Sequence, residues 1–365
     1  MIAMKQQENA CRNNDSRRER MAVTIKDVAA LAGVSPSTVS RVCNDHPSIS
    51  SETRERVRNA MSKLGYEPSA SAQQTDQRLR MVSVLLPPSP KEAYENSFYL
   101  QVIRGISQVC NQRQVACSVI TGKDTAEMLQ ALQAMSQSRQ NDGFILLYSR
   151  KDDPVVDYLC EQGLLYVLVG KEEQGSGQTI CIDNDNLLAG KEATEYLYQL
   201  GHRHIGYLGS EHSFVFSAER LSGYQLALLQ HNLPLRPDYY IEMESPNFDK
   251  ADALRELLSS PDRPTALVVS DDMLAVGLER TCSALGLRIP EDISIISFNN
   301  SLIAQLNNPQ LTSVDVNSFQ LGFEAANQIL NHADNPNLMA TKIIVPHRIV
   351  ERSSCKALED DSAKK

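Results

Sequence analysis

From Met81 onward, short apolar runs alternate with stretches whose apolar residues recur at helical spacing. The clearest runs are MVSVLL, VACSVIT, DGFILLYS, LLYVLVG, HIGYLG, TALVVS and SIISFN. Because a continuous apolar run is typical of a strand buried on both faces, the alternation predicts βαβ units around parallel sheets. The pattern restarts after a linker near Asp183, and KIIVPHRIV at 342–350 closes the chain with strand character. The sequence therefore predicts an α/β body of two doubly wound lobes with crossings between them.

In open α/β sheets, ligands bind at the carboxyl ends of the strands, so two such lobes predict a ligand cleft. The fold alone does not separate a sugar sensor, a transport-type binding protein and a nucleotide enzyme. The sequence contains no G-x-x-x-x-G-K-S/T, no G-x-G-x-x-G after a strand and no G-x-S-x-G. We therefore predict neither an enzyme nor a cofactor.

The eight cysteines form no C-x-x-C pair, and the seven histidines form no cluster with metal-ligand spacing. We therefore predict no metal site and a reducing, cytoplasmic location. A signal-peptide pattern is absent, and no apolar run reaches the roughly 18 residues that a membrane span needs. These features argue against secretion and against contact with a membrane.

A different pattern precedes the body. Thr24, followed three residues later by Asp27, has the form of a capping box and predicts the start of a helix. Gly33 suits a tight turn because glycine adopts positive φ freely. Ser35 and Pro36 are the residue types that begin a second helix. A helix, a short turn and a second helix predict a helix-turn-helix, although a helical hairpin in an ordinary core has the same pattern.

The charge of the chain is unevenly distributed. Residues 1–80 carry 13 Lys and Arg against 9 Asp and Glu, whereas the rest carries 23 against 36, within a net charge of −9. A basic end on an acidic body is typical of a head that binds a polyanion. A third helix is predicted between a cap at Ser50 and a stop at Gly65.

The stretch from Thr24 resembles the head of the lactose/galactose repressor family, which reads T-I-x-D-V-A-x-x-A-G-V-S-x-x-T-V-S-R-V, and every fixed position is present. The resemblance implies a recognition helix in the major groove of DNA. The residues that would read base edges are Pro36, Ser37 and Arg41. Those that would contact phosphates are Thr24, Thr38, Ser40 and Asn44.

In this family, the segment after the head folds into a hinge helix on DNA, and the hinge residues here would be Ala72, Gln73 and Thr75. Thr75 stands where the family has a Leu that wedges into the minor groove. A Thr side chain is shorter and carries a hydroxyl, so it fills an opened base step less well. We therefore expect this hinge to bend DNA less than a Leu-bearing one.

The body also resembles this family, with landmarks in the family's order from Asp142–Gly143 to Leu311–Thr312. The resemblance implies a sugar effector, which Arg220 would clamp. The full effector-binding set that it implies is Phe98, Tyr99, Tyr148, Asp183, Arg220, Phe248, Asp271, Asp272 and Asn299. Such a set suits a sugar, since planar polar groups bond adjacent hydroxyls and aromatic rings cover the C–H face. The FNNS wording at 298–301 is most similar to the maltose-operon regulators and implies maltose or a maltodextrin.

Five segments are predicted: a disordered lead at 1–20, a helix-turn-helix DNA-binding domain at 21–66, a hinge at 67–80, a two-lobed effector-binding and dimerisation body of periplasmic-binding-protein type at 81–355, and a disordered tail at 356–365. The expected function is a cytoplasmic regulator, in the first place a repressor, of carbohydrate-utilisation genes that binds double-stranded operator DNA. We expect a homodimer, because the chain ends without the leucine heptads of tetrameric relatives. The alternative is a transport-type sugar-binding protein without gene regulation, which the basic head disfavours.

Overall fold

The computed structural model describes residues 24–43, 50–66, 80–88, 96–137, 141–172, 179–210, 213–243 and 252–358, and it describes Ser37, Ser40 and Arg41 by their backbone alone. The chain divides into two compact units, Met1–Arg78 and Leu79–Lys365, and each is described by itself. The predicted lead at 1–20, most of the predicted tail and three hinge residues lie outside the described residues, the last being Ala72, Gln73 and Thr75.

The described part of the first unit is helical, with α1 (Ile25–Ala32), α2 (Pro36–Cys43) and α3 (Ser51–Leu64). Their apolar faces share one small core, which buries Val28, Val39, Val42 and Val57. A core of this size gives a domain little stability of its own.

The helix ends of this unit form where the sequence predicts them. The Thr24 backbone N–H donates to Asp27 Oδ2 at 2.7 Å, and Gly33 ends α1 with a φ of 64°. Ser50 caps α3 through its side chain, and Gly65 ends it with a φ of 61°. The positive φ at both glycines explains their residue type, because other side chains are strained in that region.

The second unit contains two lobes, each built on a six-stranded sheet of the described residues. In lobe 1 the sheet order is β11-β5-β4-β3-β1-β2, and every pairing is parallel. Its strands are β1 (Met81–Leu85), β2 (Ala116–Ile120), β3 (Asn141–Leu146), β4 (Tyr166–Val169), β5 (Ile180–Asp183) and β11 (Lys342–Ile344). The helices on its faces are α4 (Ser97–Gln112), α5 (Thr125–Ser136), α6 (Pro154–Glu161) and α12 (Ser318–Asp334).

Lobe 2 repeats this arrangement with the order β12-β10-β9-β8-β6-β7. Its strands are β6 (Ile205–Gly209), β7 (Tyr240–Glu242), β8 (Ala266–Val269), β9 (Ser294–Phe298), β10 (Thr312–Asp315) and β12 (Arg348–Val350). Its helices are α7 (Asn186–Gln199), α8 (Val215–Gln230), α9 (Asp252–Ser259), α10 (Asp272–Ala284) and the short α11 (Leu302–Leu306). The edge strand β12 runs antiparallel to β10. The predicted fold class, a helical head with two parallel-sheet lobes, is confirmed.

One local prediction needs correction. Asp183 is not in a linker: it ends β5, and α7 follows three residues later in the other lobe. The strand character predicted for 342–350 is confirmed, and it is divided between two strands: β11 completes the first sheet and β12 pairs in the second. The chain therefore crosses between the lobes after β5, after β10 and after β11.

In each lobe, one pair of helices packs backbone against backbone at glycines. A Cβ placed on Gly322 of α12 or on Gly105 of α4 would lie within 3.0 Å of backbone atoms of the partner helix. The same holds for Gly190 of α7 and Gly223 of α8. Because the atoms in the way are backbone atoms, neither helix can yield by a side-chain rotation.

Candidate functional site

A cleft partly open to solvent lies where the carboxyl ends of the strands of both lobes face each other. Seven residues of the predicted effector set line it: Phe98, Tyr99, Tyr148, Asp183, Arg220, Asp271 and Asn299. They reach it from the ends of β3, β5, β8 and β9, from the first turn of α4 and from the second turn of α8. Phe248 of the same set lies outside the described residues.

Asp272 is placed elsewhere and does not line the cleft. It is buried, and the hydroxyls of Ser297 and Ser313 donate to its Oδ1 at 2.5 and 2.8 Å. The Ser301 backbone N–H donates to its Oδ2 at 2.7 Å. Asp272 is the first residue of α10, and its side chain points back towards the strands. There it joins β9, β10 and the loop that follows β9.

Arg220 is a buried group of the cleft, with 5% of its surface exposed, and several contacts fix its position. Its Nε donates to Asn186 Oδ1 at 3.0 Å, and its Nη1 donates to the Ser270 carbonyl at 2.8 Å. The guanidinium also lies over the Phe298 ring, with Cζ 4.3 Å from the ring centroid. None of the described residues accepts a hydrogen bond from Nη2, so this edge is available to a ligand in the cleft.

Asp183 faces Arg220 from lobe 1. It lines the cleft and also accepts hydrogen bonds from neighbouring residues of the protein. Its Oδ1 accepts the Asn184 backbone N–H at 2.8 Å and the Asn186 side-chain amide at 3.0 Å. Burial raises the pKa of Asp183 to about 7, although these two hydrogen bonds and the nearby Arg220 work against the increase. A carboxyl near its midpoint at neutral pH can accept or donate a hydrogen bond to a ligand hydroxyl.

This raised pKa gives a pH dependence of stability. The unfolded Asp183 carboxyl releases its proton near its ordinary pKa of 3.8, whereas the folded one keeps it to about 7. The contribution of Asp183 to stability is therefore fully present below pH 4 and falls as the pH rises to 7. We expect Asp183→Asn, which keeps the Oδ1 acceptor, to remove this slope and to be about 2–4 kcal/mol more stable than wild type at pH 8.

Urea unfolding from pH 4 to 8 measures the difference. Asp185→Asn is the matched control. Asp185 is the exposed N-cap of α7, two residues after Asp183, and the substitution removes the same kind of charge there. Asn also caps helices well, so this control should change the free energy of unfolding little. A constant difference between Asp183→Asn and wild type across the range would contradict the assignment.

Aromatic rings form the apolar wall of the cleft. Phe98 and Tyr99 meet edge to face, with centroids 5.3 Å apart and an interplanar angle of 76°. Phe216 lines the cleft from lobe 2, and the Arg220 Cζ lies 5.0 Å from the centroid of its ring. Tyr148 is buried, and no group among the described residues forms a hydrogen bond with its hydroxyl. A cleft lined by both aromatic rings and hydrogen-bonding groups suits a ligand with both an apolar face and hydroxyl groups.

Asn186 was not among the predicted site residues, yet it forms hydrogen bonds with both Asp183 and Arg220. Its Oδ1 accepts from Arg220 and its Nδ2 donates to Asp183, so it links a group of lobe 2 with a group of lobe 1. The run DNDN at 183–186 was the available signal. A polar run directly after a strand could be recognised, but which of its residues faces the cleft depends on the chain crossing into α7.

In the head, Pro36 begins α2, and Thr38 Oγ1 lies 2.8 Å from the hydroxyl of Ser35, which caps that helix. The exposed Thr24 hydroxyl donates to Asp27 at 2.6 Å. The side chains of Ser37, Ser40 and Arg41 are not described, and Asn44 lies outside the described residues.

Two further properties concern only the described residues. They contain no group of three or more His, Cys, Asp or Glu side chains that could hold a metal ion. No helix among them is long and apolar enough to cross a membrane.

Comparison with known proteins covers both units. Residues 24–69 match the model of bacterial regulatory proteins of the lacI family. Residues 194–355 match a periplasmic binding protein-like domain. The chain is 33% identical over 345 residues to the HTH-type transcriptional regulator MalR of Streptococcus pneumoniae, an alignment that covers 91% of this chain and all of MalR.

Solved structures agree. The transcriptional regulator CelR–cellobiose complex has a TM-score of 0.71 and 28% identity, over 91% of this chain and 99% of that one. The lac repressor dimer bound to operator shares the fold, with a TM-score of 0.67 and 24% identity over 92% and 99% of the two chains. A transport-type binding protein lacks the matched head, which removes that alternative. The chain therefore belongs to the lacI family of bacterial regulatory proteins, as a DNA-binding, sugar-responsive transcriptional regulator and not an enzyme.

Proposed function

We propose that this regulator represses carbohydrate-utilisation genes in the cytoplasm, binds its operator as a homodimer and takes maltose or a short maltodextrin as its effector. The observation that carries the sugar assignment is the Arg220 guanidinium, which is held by Asn186 and Ser270 with one edge left for a ligand. A group positioned in this way before binding loses little entropy when a ligand arrives.

The charges of the cleft favour an uncharged ligand. One guanidinium, Arg220, lies with two carboxyl groups, Asp183 and Asp271. Burial raises the pKa of both carboxyl groups. The raised pKa values weaken the negative charge that the two carboxyl groups bring to the cleft, and Asn299 adds an uncharged amide at the end of β9. A sugar acid or an amino sugar would bring an unbalanced charge into this buried space, which costs free energy.

Relatives support a glucoside. MalR is the name of the relative that is 33% identical, and the solved CelR relative was captured with cellobiose. Calorimetry with maltose, maltotriose and cellobiose tests the assignment, and a gel shift with the DNA upstream of the gene tests regulation. Tighter binding of maltose or maltotriose than of cellobiose supports the proposal. Failure of all α-glucosides to bind would remove the maltose assignment but not the family.

Arg41 is proposed to read a guanine through O6 and N7 from the recognition helix α2. We expect Arg41→Ala to weaken operator binding by about 1–3 kcal/mol and to relax the preference at one base pair in each half-site. Thr38→Ala, at a proposed phosphate contact, is the control that should weaken all sequences alike. A binding-site selection measures both, and an unchanged base preference in Arg41→Ala would show that Arg41 does not read that base.

The dimer is proposed to form through the body. On lobe 2, α11 exposes Leu302 and Leu306 at 60% and 75% of their surface, which is unusual for apolar residues on one short helix. We expect the full chain to be a dimer at micromolar concentration in light scattering, and Leu306→Glu to shift it towards monomer. Leu229→Glu, at a similarly exposed leucine of α8, is the control. A dimer that persists in Leu306→Glu would exclude α11 from the interface.

A further inference from the structure

We propose that residues 149–151 and 171 of lobe 1 and residues 213–219 of lobe 2 form a latch that holds the two lobes closed and sets the affinity for the effector. The proposal rests on the proposed function of the cleft as an effector site. It concerns positioning residues that lie beside the ligand-lining groups, and their role is to hold the two lobes together. The contacts that carry it join the lobes directly and are separate from the three covalent crossings.

The centre of the latch is a pair of backbone hydrogen bonds. The Lys151 N–H donates to the Ser213 carbonyl at 3.1 Å, and the Val215 N–H donates to the Ser149 carbonyl at 3.1 Å. Between them, Arg150 and Phe214 form an antiparallel bridge. Two short segments, one from each lobe, therefore pair as in an antiparallel sheet. Neither segment belongs to a strand of the two main sheets.

Side chains reinforce this bridge. The Arg150 guanidinium lies over the Phe214 ring, with Cζ 4.3 Å from the centroid. A guanidinium in this position is attracted by the ring face. Within lobe 1, the Ser149 hydroxyl donates to the Lys171 carbonyl at 2.5 Å, which ties the loop after β3 to the loop after β4.

An ion pair completes the latch. Lys171 Nζ lies 2.5 Å from Glu219 Oε1, and this pair joins lobe 1 to α8 of lobe 2. The Glu219 side chain is 19% exposed and that of Lys171 is 61% exposed, so salt screens the attraction in part. The hydrogen bond to Glu219 raises the pKa of Lys171.

The latch lies beside the effector cleft. Ser149 belongs both to the bridge and to the cleft lining, while Phe216 and Arg220 line the cleft from the same first turns of α8. Separating the lobes enough to admit a sugar requires this side to open. In this proposal the closed state is the one that binds the effector tightly, and the apparent affinity is proportional to the fraction of molecules in that state. Contacts that favour closure therefore tighten effector binding without touching the effector.

One substitution removes a latch contact with little cost to its own helix. Val215 is the first residue of α8, where a proline is tolerated because that N–H has no intrahelical partner. The preceding Phe214 has φ −82° and ψ 125°, an extended conformation that suits a residue before proline. Val215→Pro therefore deletes the N–H that bonds Ser149, and Val215→Ala keeps it as the matched control.

Amide hydrogen exchange on the ligand-free full chain tests the latch without any effector. In Val215→Pro, loss of one crossing bond should loosen the other, and the Lys151 amide should exchange about tenfold faster than in wild type. Val215→Ala should match wild type. An unchanged Lys151 exchange rate in Val215→Pro would overturn the proposal.

Charge exchange tests the ion pair. Lys171→Glu should weaken maltose binding about 2- to 5-fold in calorimetry, since it sets two carboxylates against each other. The double variant Lys171→Glu/Glu219→Lys should restore it, and the difference should shrink at high salt. Glu195→Gln, which breaks the ion pair of Lys191 inside lobe 2, should leave maltose affinity unchanged.

The two proposals fail in different ways. If wild type binds no maltose while Lys151 exchange responds to Val215→Pro, the effector assignment is wrong and the latch stands as a contact between lobes. If maltose binds wild type and Val215→Pro with equal affinity, the latch does not set effector affinity and this inference is wrong.

Discussion

Replacing Arg220 by alanine is expected to weaken effector binding by about 100-fold or more, because two charge-assisted hydrogen bonds and the ligand-facing edge of the guanidinium are lost together. The substitution also leaves Asn186 Oδ1 without its donor and removes a cation that lowers the pKa of Asp183 and of Asp271. Operator binding should persist, since the head is a separate unit with its own core. The expected result is thus a protein that binds DNA but ignores sugar.

Calorimetry with maltose and gel shift with and without maltose measure the two halves of this result. Arg220→Lys is the informative partner variant, because it keeps the charge but cannot make both hydrogen bonds of the fork. It should be nearly as impaired as the alanine variant. A lysine variant with wild-type affinity would show that Arg220 contributes only charge, and a responsive alanine variant would remove it from the site.

Placing a methyl group on Gly190 is expected to destabilise the body by about 3 kcal/mol, because the added Cβ would overlap the backbone of Arg220. The helix pair α7 and α8 must then separate at the residue that clamps the effector. Stability and effector response should therefore fall together. Gly322→Ala, which would overlap the Val102 backbone in lobe 1, should cost a similar amount of stability.

Urea unfolding monitored by circular dichroism measures both variants. Ser222→Ala is the control, since Ser222 is an exposed residue of α8, the helix that packs on α7, and neighbours Gly223, so its effect should stay within about 0.5 kcal/mol. Equal effector affinity in folded Gly190→Ala and wild type would show that the close packing of α7 on α8 does not position Arg220.

The sequence by itself determined the order and type of the elements. Alternating apolar runs predict the two lobes because each buried strand and each amphipathic helix is a local pattern. The same holds for the head, where the Thr24–Asp27 capping box and the Gly33 turn are contained within ten residues. Features of this kind need no knowledge of distant residues.

Only the tertiary structure decided which residues meet at the cleft. Asp271 and Asp272 are neighbours in sequence, yet the first lines the cleft and the second ties strands together, because Asp271 is the extended N-cap and Asp272 is the first helical residue, so their side chains leave the chain in different directions. Asn186 acquires its role from Arg220, 34 residues away.

The latch has the same origin. Ser149 and Val215 meet only because the chain crosses between the lobes after β5, which brings two loops 66 residues apart onto one side of the cleft. No local pattern marks either loop as a partner of the other, since their contacts are mainly between backbone atoms. Local periodicity therefore determined the parts of this protein, and long-range packing determined the site between them.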